Sequence, residues 1–221
     1  MMRAIKIIIL ILLSVKLNIV EAQQRIESVN HDGWYMYFGN HRISDKISIH
    51  TEYQWRRNQW IEKWQQSLLR LGVDYHLRDN AIVSVGYGSI TTYPYGEQHC
   101  LNPYHENRIW QTVLLKQNFG RIYLSHRYRL EHRFTDTYKV DENGSINIDK
   151  VNYTNRMRYM LSVTLPLNKK ELQKDAVFIR CYDEAFASFG SNAQRNIFDQ
   201  NRLYIALGYQ LLPATHIRLD T

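Results

Sequence analysis

The run Ile122-Tyr123-Leu124-Ser125-His126-Arg127-Tyr128-Arg129-Leu130-Glu131-His132-Arg133-Phe134 keeps a strict two-residue beat. Arg127, Arg129, Glu131 and Arg133 share one parity; Ile122, Leu124, Tyr128, Leu130 and Phe134 share the other. A β-strand sends successive side chains to opposite faces, so this strand is charged on one face and apolar on the other. A soluble sandwich carries mixed small polar residues on its wet face. A ladder of Arg and Glu is the pattern of a transmembrane β-barrel, apolar toward lipid and polar toward the lumen.

The beat recurs along the chain. Residues 46–56 set Ile47, Ile49, Tyr53 and Trp55 against His50, Glu52, Gln54 and Arg56. Residues 60–75 set Leu69, Leu71, Val73 and Tyr75 against Gln66, Arg70 and Asp74. Residues 81–91 place Val83, Val85 and Tyr87 opposite Ser84, Gly86 and Gly88, small residues that leave room for bulky neighbours. Residues 105–117 carry Glu106 and Arg108, then Val113 and Leu115, which leaves their facing open. Residues 151–165 set Met157, Tyr159, Leu161, Val163 and Leu165 against Arg156, Arg158, Ser162 and Thr164. Residues 176–189 set Val177, Ile179 and Cys181 against Arg180, Tyr182 and Glu184. Residues 198–211 set Leu203, Ile205, Leu207, Tyr209 and Leu211 against Gln200, Arg202, Tyr204 and Gln210. With a first strand over 33–39 and a last one beginning near Thr215, the expected fold is all-β. It is an antiparallel up-and-down barrel of about 10–12 strands of outer-membrane type.

Residues 40–45, 78–80, 118–120 and 212–214 read as tight links, 93–104 and 135–150 as long polar loops, and 166–175 as intermediate. Outer-membrane barrels place short turns in the periplasm and long loops outside. On that rule the first strand starts outside, which makes residues 23–32 a candidate for an earlier strand. The chain stops at Asp220-Thr221 inside an expected strand, so the barrel is expected to be C-terminally truncated.

Residues 1–22 read as a secretory signal. Arg3 and Lys6 precede the short apolar run 7–13, and Val20-Glu21-Ala22 offers a cleavage site before Gln23. The apolar run is far shorter than the ~20 residues a spanning helix needs. Residues 23–221 are then one domain. The net charge of +7 falls to +5 once residues 1–22 are set aside. Because the Arg residues alternate with apolar ones in strands, and the chain is exported, nucleic acid is not an expected partner; outer-membrane lipid is. The 16 Tyr and 5 Trp supply what aromatic girdles at two membrane interfaces would use. Cys100 and Cys181 are expected as isolated thiols. No CxxC or HExxH spacing occurs, so no metal site and no cofactor are expected.

Five blocks occur in order: His105-Glu106-Asn107-Arg108-Ile109-Trp110-Gln111, Arg127 through Arg133, Asn155-Arg156-Met157-Arg158-Tyr159, Tyr182-Asp183-Glu184-Ala185-Phe186 and Phe198-Asp199-Gln200-Asn201-Arg202-Leu203-Tyr204. They resemble the recurrent blocks of the family catalogued as domain of unknown function 2490. The resemblance implies an exported outer-membrane β-barrel of a Gram-negative bacterium. It brings no catalytic residues with it. The chain departs from the family pattern in lacking a final strand.

The candidate site is the charged inner face: Glu52, Arg56, Arg70, Glu106, Arg108, Arg127, Arg129, Glu131, Arg133, Arg156, Arg158, Arg180, Glu184 and Arg202. Arginine forks pair bidentately with carboxylates, and a small barrel is just wide enough for side chains to fill it. The first reading is a lattice of ion pairs that packs the lumen. The second is a cationic constriction that favours an anionic solute. The third is a site for a sugar or lipid head group. A lipid-modifying hydrolase would need Ser, His and a carboxylate in mutual reach. Ser125 and His126 point to opposite faces, and no GxSxG occurs. The expectation is an outer-membrane barrel of structural or narrow-pore character, without catalysis.

Overall fold

A computed structural model describes residues 32–95, 102–141, 145–190, 198–212 and 215–220. Ten strands form one antiparallel sheet in chain order. They are β1 (Asp32–Arg42), β2 (Ile47–Asn58), β3 (Lys63–Arg78), β4 (Ala81–Thr92), β5 (Tyr104–Phe119), β6 (Ile122–Val140), β7 (Ile146–Pro166), β8 (Val177–Phe189), β9 (Phe198–Leu212) and β10 (Thr215–Asp220). Each strand pairs only with its neighbours in sequence, the up-and-down arrangement expected. Among the described residues no ladder joins β1 to β10. The sheet nevertheless curls far enough for its ends to meet through side chains. The Arg202 guanidinium on β9 lies 5.6 Å from the Trp34 ring on β1, and Arg218 on β10 lies 5.8 Å from Phe38.

Two links differ from expectation. The third strand begins at Lys63, because Gln59 and Trp60 have φ of 53° and 63°. Arg57 holds that turn: its Nε donates to the Ile61 carbonyl at 2.9 Å, and its Nη2 to those of Ile61 and Glu62 at 2.7 and 2.8 Å. The second difference is larger. Residues 135–150 are mostly a hairpin arm and not a loop. β6 and β7 stay paired from Thr135↔Asn152 out to Val140↔Ile146. Thr135, Thr137, Tyr138, Ile146, Ile148 and Val151 are strand formers, and they carry the pairing. Polar residues sit among them because the outer part of the ribbon, residues 146–151, is exposed to water along its whole length. Its polarity therefore reads as a loop. The signal segment 1–22, an early strand before Asp32, Cys100 and half of link 93–104 lie outside the described residues.

Facing follows the alternation. Leu69, Leu71, Val73 and Tyr75 of β3 are 43% to 51% exposed, while Leu68, Arg70 and Asp74 of the same strand are buried. The open facing of β5 is settled by register. Glu106, Arg108, Trp110 and Thr112 are buried, and Ile109, Val113 and Leu115 are exposed. The sheet thus buries polar side chains and exposes apolar ones.

One packing feature sets the middle of the inner face. Gly72 and Gly86 pair directly across β3 and β4, and Trp110 on β5 lies over both. A Cβ on Gly86 would sit 2.3 Å from the Trp110 ring and 2.4 Å from the Leu71 carbonyl oxygen. A Cβ on Gly88 would meet only the flexible Arg70 side chain, at 3.1 Å. Gly86→Ala is therefore expected to destabilise by about 1–3 kcal/mol, the usual cost of overpacking, and Gly88→Ala by clearly less. Thermal unfolding followed by circular dichroism at the strand band distinguishes them; equal midpoints would contradict the notch.

Candidate functional site, the charged inner face

Four glutamates are buried on the inner face: Glu52, Glu106, Glu131 and Glu184, each no more than 3% exposed. Burying an ionised carboxylate is costly unless cations and hydrogen-bond donors surround it. Each of the four has at least one guanidinium within 4 Å, although Glu131 Oε2 has no hydrogen-bond partner among the described residues.

Glu131 is the hub. Its Oε1 accepts from Nη1 of Arg158 at 2.8 Å and lies 3.8 Å from Nη2 of Arg70; its Oε2 lies 3.6 Å from Nη1 of Arg108. Arg158 reaches on to Glu184, with Nε to Oε1 at 2.9 Å and Nη2 to Oε2 at 3.0 Å, a two-pronged contact. Arg127 completes that end, Nη2 to Glu184 Oε1 at 2.7 Å. On the other side Arg70 Nη1 donates to Glu52 Oε1 at 2.7 Å, and Gln54 donates to the same oxygen. Glu106 takes a second fork, from Arg133 Nε and Nη2 at 2.7 and 2.8 Å, and also accepts from Arg108.

These contacts form one connected network drawn from β2, β3, β5, β6, β7 and β8. Arg70 of β3 and Glu131 of β6 are not on adjacent strands, so the network crosses the concave interior as well as following the sheet. Register explains the diagonal reach. Arg129 stands opposite Arg158, and Arg108 opposite Arg133. Like charges directly opposite repel, and the long side chains slant along the strand to carboxylates one pair away.

Nine of the sequence-derived residues lie in this network: Glu52, Arg70, Glu106, Arg108, Arg127, Glu131, Arg133, Arg158 and Glu184. Five lie on the same face outside it. Arg56 Nη1 donates to Gln66 Oε1 and Nε to Gln54 Oε1, both at 2.9 Å. Arg129 Nε donates to Thr112 Oγ1 at 3.0 Å, with its guanidinium 4.9 Å from the Trp110 ring. Arg180 Nε donates to Ser162 Oγ at 3.0 Å, and Arg156 pairs with Asp199 at 2.7 Å. Arg202 lies 5.6 Å from both the Trp34 and Phe186 rings. Sequence reasoning missed Trp110, Thr112, Phe186, Asp199 and Trp34 as members of this surface. The signal for Trp110 and Thr112 was their shared parity with Glu106 and Arg108.

Other expected placements can be stated directly. His126 and His132 point outward, and each pairs its Nδ1 with a tyrosine hydroxyl, Tyr159 at 2.9 Å and Tyr153 at 2.8 Å. Cys181 is a free thiol on the outer parity. Among the described residues no three His, Cys, Asp or Glu side chains gather as a metal ligand set.

Removing the hub carboxylate strands several guanidinium groups. Glu131→Ala is expected to cost about 3–5 kcal/mol, against ~0–1 for Glu171→Ala in the exposed β7–β8 link. Because Glu131 and Arg158 touch, Glu131→Ala combined with Arg158→Ala is expected to cost less than the sum of the singles. Denaturation midpoints of the four variants measure both; additive effects would mean that the pair is not coupled.

No curated protein and no solved structure matches the chain. One family model does match, over residues 31–221, and its description is "Protein of unknown function (DUF2490)". The match spans all ten strands, and the chain belongs to the DUF2490 family.

Proposed function

We propose that this protein is an outer-membrane β-barrel of a Gram-negative bacterium, structural or narrow-pore in character, with a lumen filled by its own ion pairs. The observation that carries the reading is the inversion of burial. Glu131 is fully buried, while Leu203 and Leu207 are 73% and 54% exposed. Apolar surface left in water costs roughly 25 cal/mol per Å², and lipid removes that cost. Every strand-to-strand connection is antiparallel and sequential, the topology from which up-and-down membrane barrels are built.

Two outer-face features support the same reading. Tyr35, Trp55, Trp64 and Tyr93 form a continuous aromatic row beside the β2–β3 turn, with successive ring centroids 5.3, 6.2 and 5.3 Å apart. Aromatic rings with a polar edge belong at the level of lipid head groups. The outward His126 and His132 have tyrosine partners, which satisfy one of the two ring nitrogens of each on the apolar face.

The filled lumen argues for a closed or very narrow barrel over a wide aqueous channel. Trp110, Glu131 and Glu184 are each at most 1% exposed in its middle. Purified full-length protein is expected in the outer-membrane fraction, with heat-modifiable migration on SDS gels. In planar bilayers it is expected to give little or no conductance, and Glu131→Ala more than the parent. Recovery from the soluble fraction would overturn the membrane reading. Large, stable conductance of the parent would overturn the filled lumen alone.

A further inference from the structure

We propose that the cavity between β1, β2, β3 and β9 binds a phosphorylated polyhydroxy compound, with its phosphate held between Arg56 and Arg202. This goes beyond the closed-barrel reading and does not depend on it. The cavity has a volume of about 360 Å³ and is lined by Asp32, Trp34, Arg56, Gln66, Gln200 and Arg202, among others. That is within the size range of small-molecule sites.

The charge in this cavity is unlike that of the central network. In the central network each carboxylate meets at least one guanidinium. Here two guanidinium groups approach one aromatic ring, with Arg56 4.2 Å and Arg202 5.6 Å from the Trp34 centroid. Among the described residues neither makes an ion pair. Arg56 spends its donors on amides, with Nη1 to Gln66 Oε1 at 2.9 Å and Nε to Gln54 Oε1 at 2.9 Å. A planar guanidinium suits phosphate, and two of them match the charge of a phosphomonoester near neutral pH.

Asp32 supplies the second half of the specificity. Its Oδ2 accepts from Gln65 Nε2 at 2.8 Å, and Gln65 Oε1 accepts from the Trp34 indole at 2.8 Å. Its Oδ1 is buried and has no hydrogen-bond partner among the described residues. A buried carboxylate oxygen needs a donor, and a hydroxyl of the ligand provides one. An acid beside two cations also disfavours a bare inorganic anion and favours a molecule that carries phosphate and hydroxyl together.

Titration calorimetry of the purified full-length protein tests the assignment, with glucose 6-phosphate, glucose, inorganic phosphate and dioctanoyl phosphatidylglycerol phosphate as probes. Saturable binding of a phosphate ester is expected, with glucose and inorganic phosphate weaker by about tenfold or more. Preference for glucose 6-phosphate identifies a free solute, and preference for the lipid identifies a head group. Arg56→Gln and Arg202→Gln are each expected to weaken that binding by about tenfold or more, while Arg180→Gln, outside the cavity, leaves it unchanged. Asp32→Asn is expected to narrow the gap between the ester and inorganic phosphate. Should a glutamine variant fail to fold, Arg56→Lys tests the same point through loss of the planar fork with the charge kept. Absence of saturable binding to either phosphate ester, or binding indifferent to all three cavity substitutions, overturns the proposal.

Discussion

A carboxylate removed from water has to be met by cations, and Glu131 is where that requirement organises this protein. It has no solvent exposure, and guanidinium groups from β3, β5 and β7 converge on it. Those three strands can be brought to one point only if the sheet curls. The ion-pair network is therefore tied to the curvature of the fold as much as to its composition. Burying paired charges is seldom a net gain over an apolar core of the same shape. Its stronger effect is on register. A slip of one residue would turn Arg127, Arg129, Glu131 and Arg133 outward and bring Tyr128, Leu130 and His132 in.

The steric device beside it works in the same direction. Gly72 and Gly86 remove two side chains where β3 and β4 pair, and the Trp110 indole occupies the space. Trp110 then offers its ring to Arg129 at 4.9 Å and its edge to His50 at 5.7 Å. A guanidinium stacked on a ring gains attraction without a counter-ion. That allows the inner face to hold more arginines than carboxylates. Phe186 does the same for Arg202 at 5.6 Å, and its ring also lies 5.8 and 4.7 Å from Arg156 and Arg158, which have carboxylate partners as well. At Phe178 the same solution recurs, its ring lying where a Cβ on Gly208 would be.

The excess of cations has a spatial order. Carboxylates and arginines pair through the middle of the inner face, whereas Arg56 and Arg202 stand together, without an ion pair among the described residues, at the end that holds the β2–β3 turn. In a closed barrel the middle resists solvent and ions, and the end facing the longer connections is where a solute would first meet the protein.

Much of this was readable along the chain. The alternation in residues 122–134, repeated at 46–56, 151–165 and 198–211, is a local property of the backbone, since a strand cannot avoid sending neighbours to opposite faces. It determined the class of fold, the succession of strands and which side chains share the inner face. The outward His126 and His132 follow from the same parity. What it could not determine is which arginine meets which carboxylate. Glu131 stands opposite Arg156 in the ladder yet binds Arg158, and it reaches Arg70 from a strand that is not its neighbour. Such contacts depend on curl, on side-chain slant and on the bulges at Arg56/Arg57 and Phe186/Ala187, none of which leaves a periodic mark. The hairpin arm beyond Thr135 was hidden for a related reason: with both faces in water, alternation carries no information, and only backbone pairing shows the strand. The meeting of Trp34 with Arg202 joins residues from the two ends of the sheet, and only the curl of the tertiary structure could bring them together.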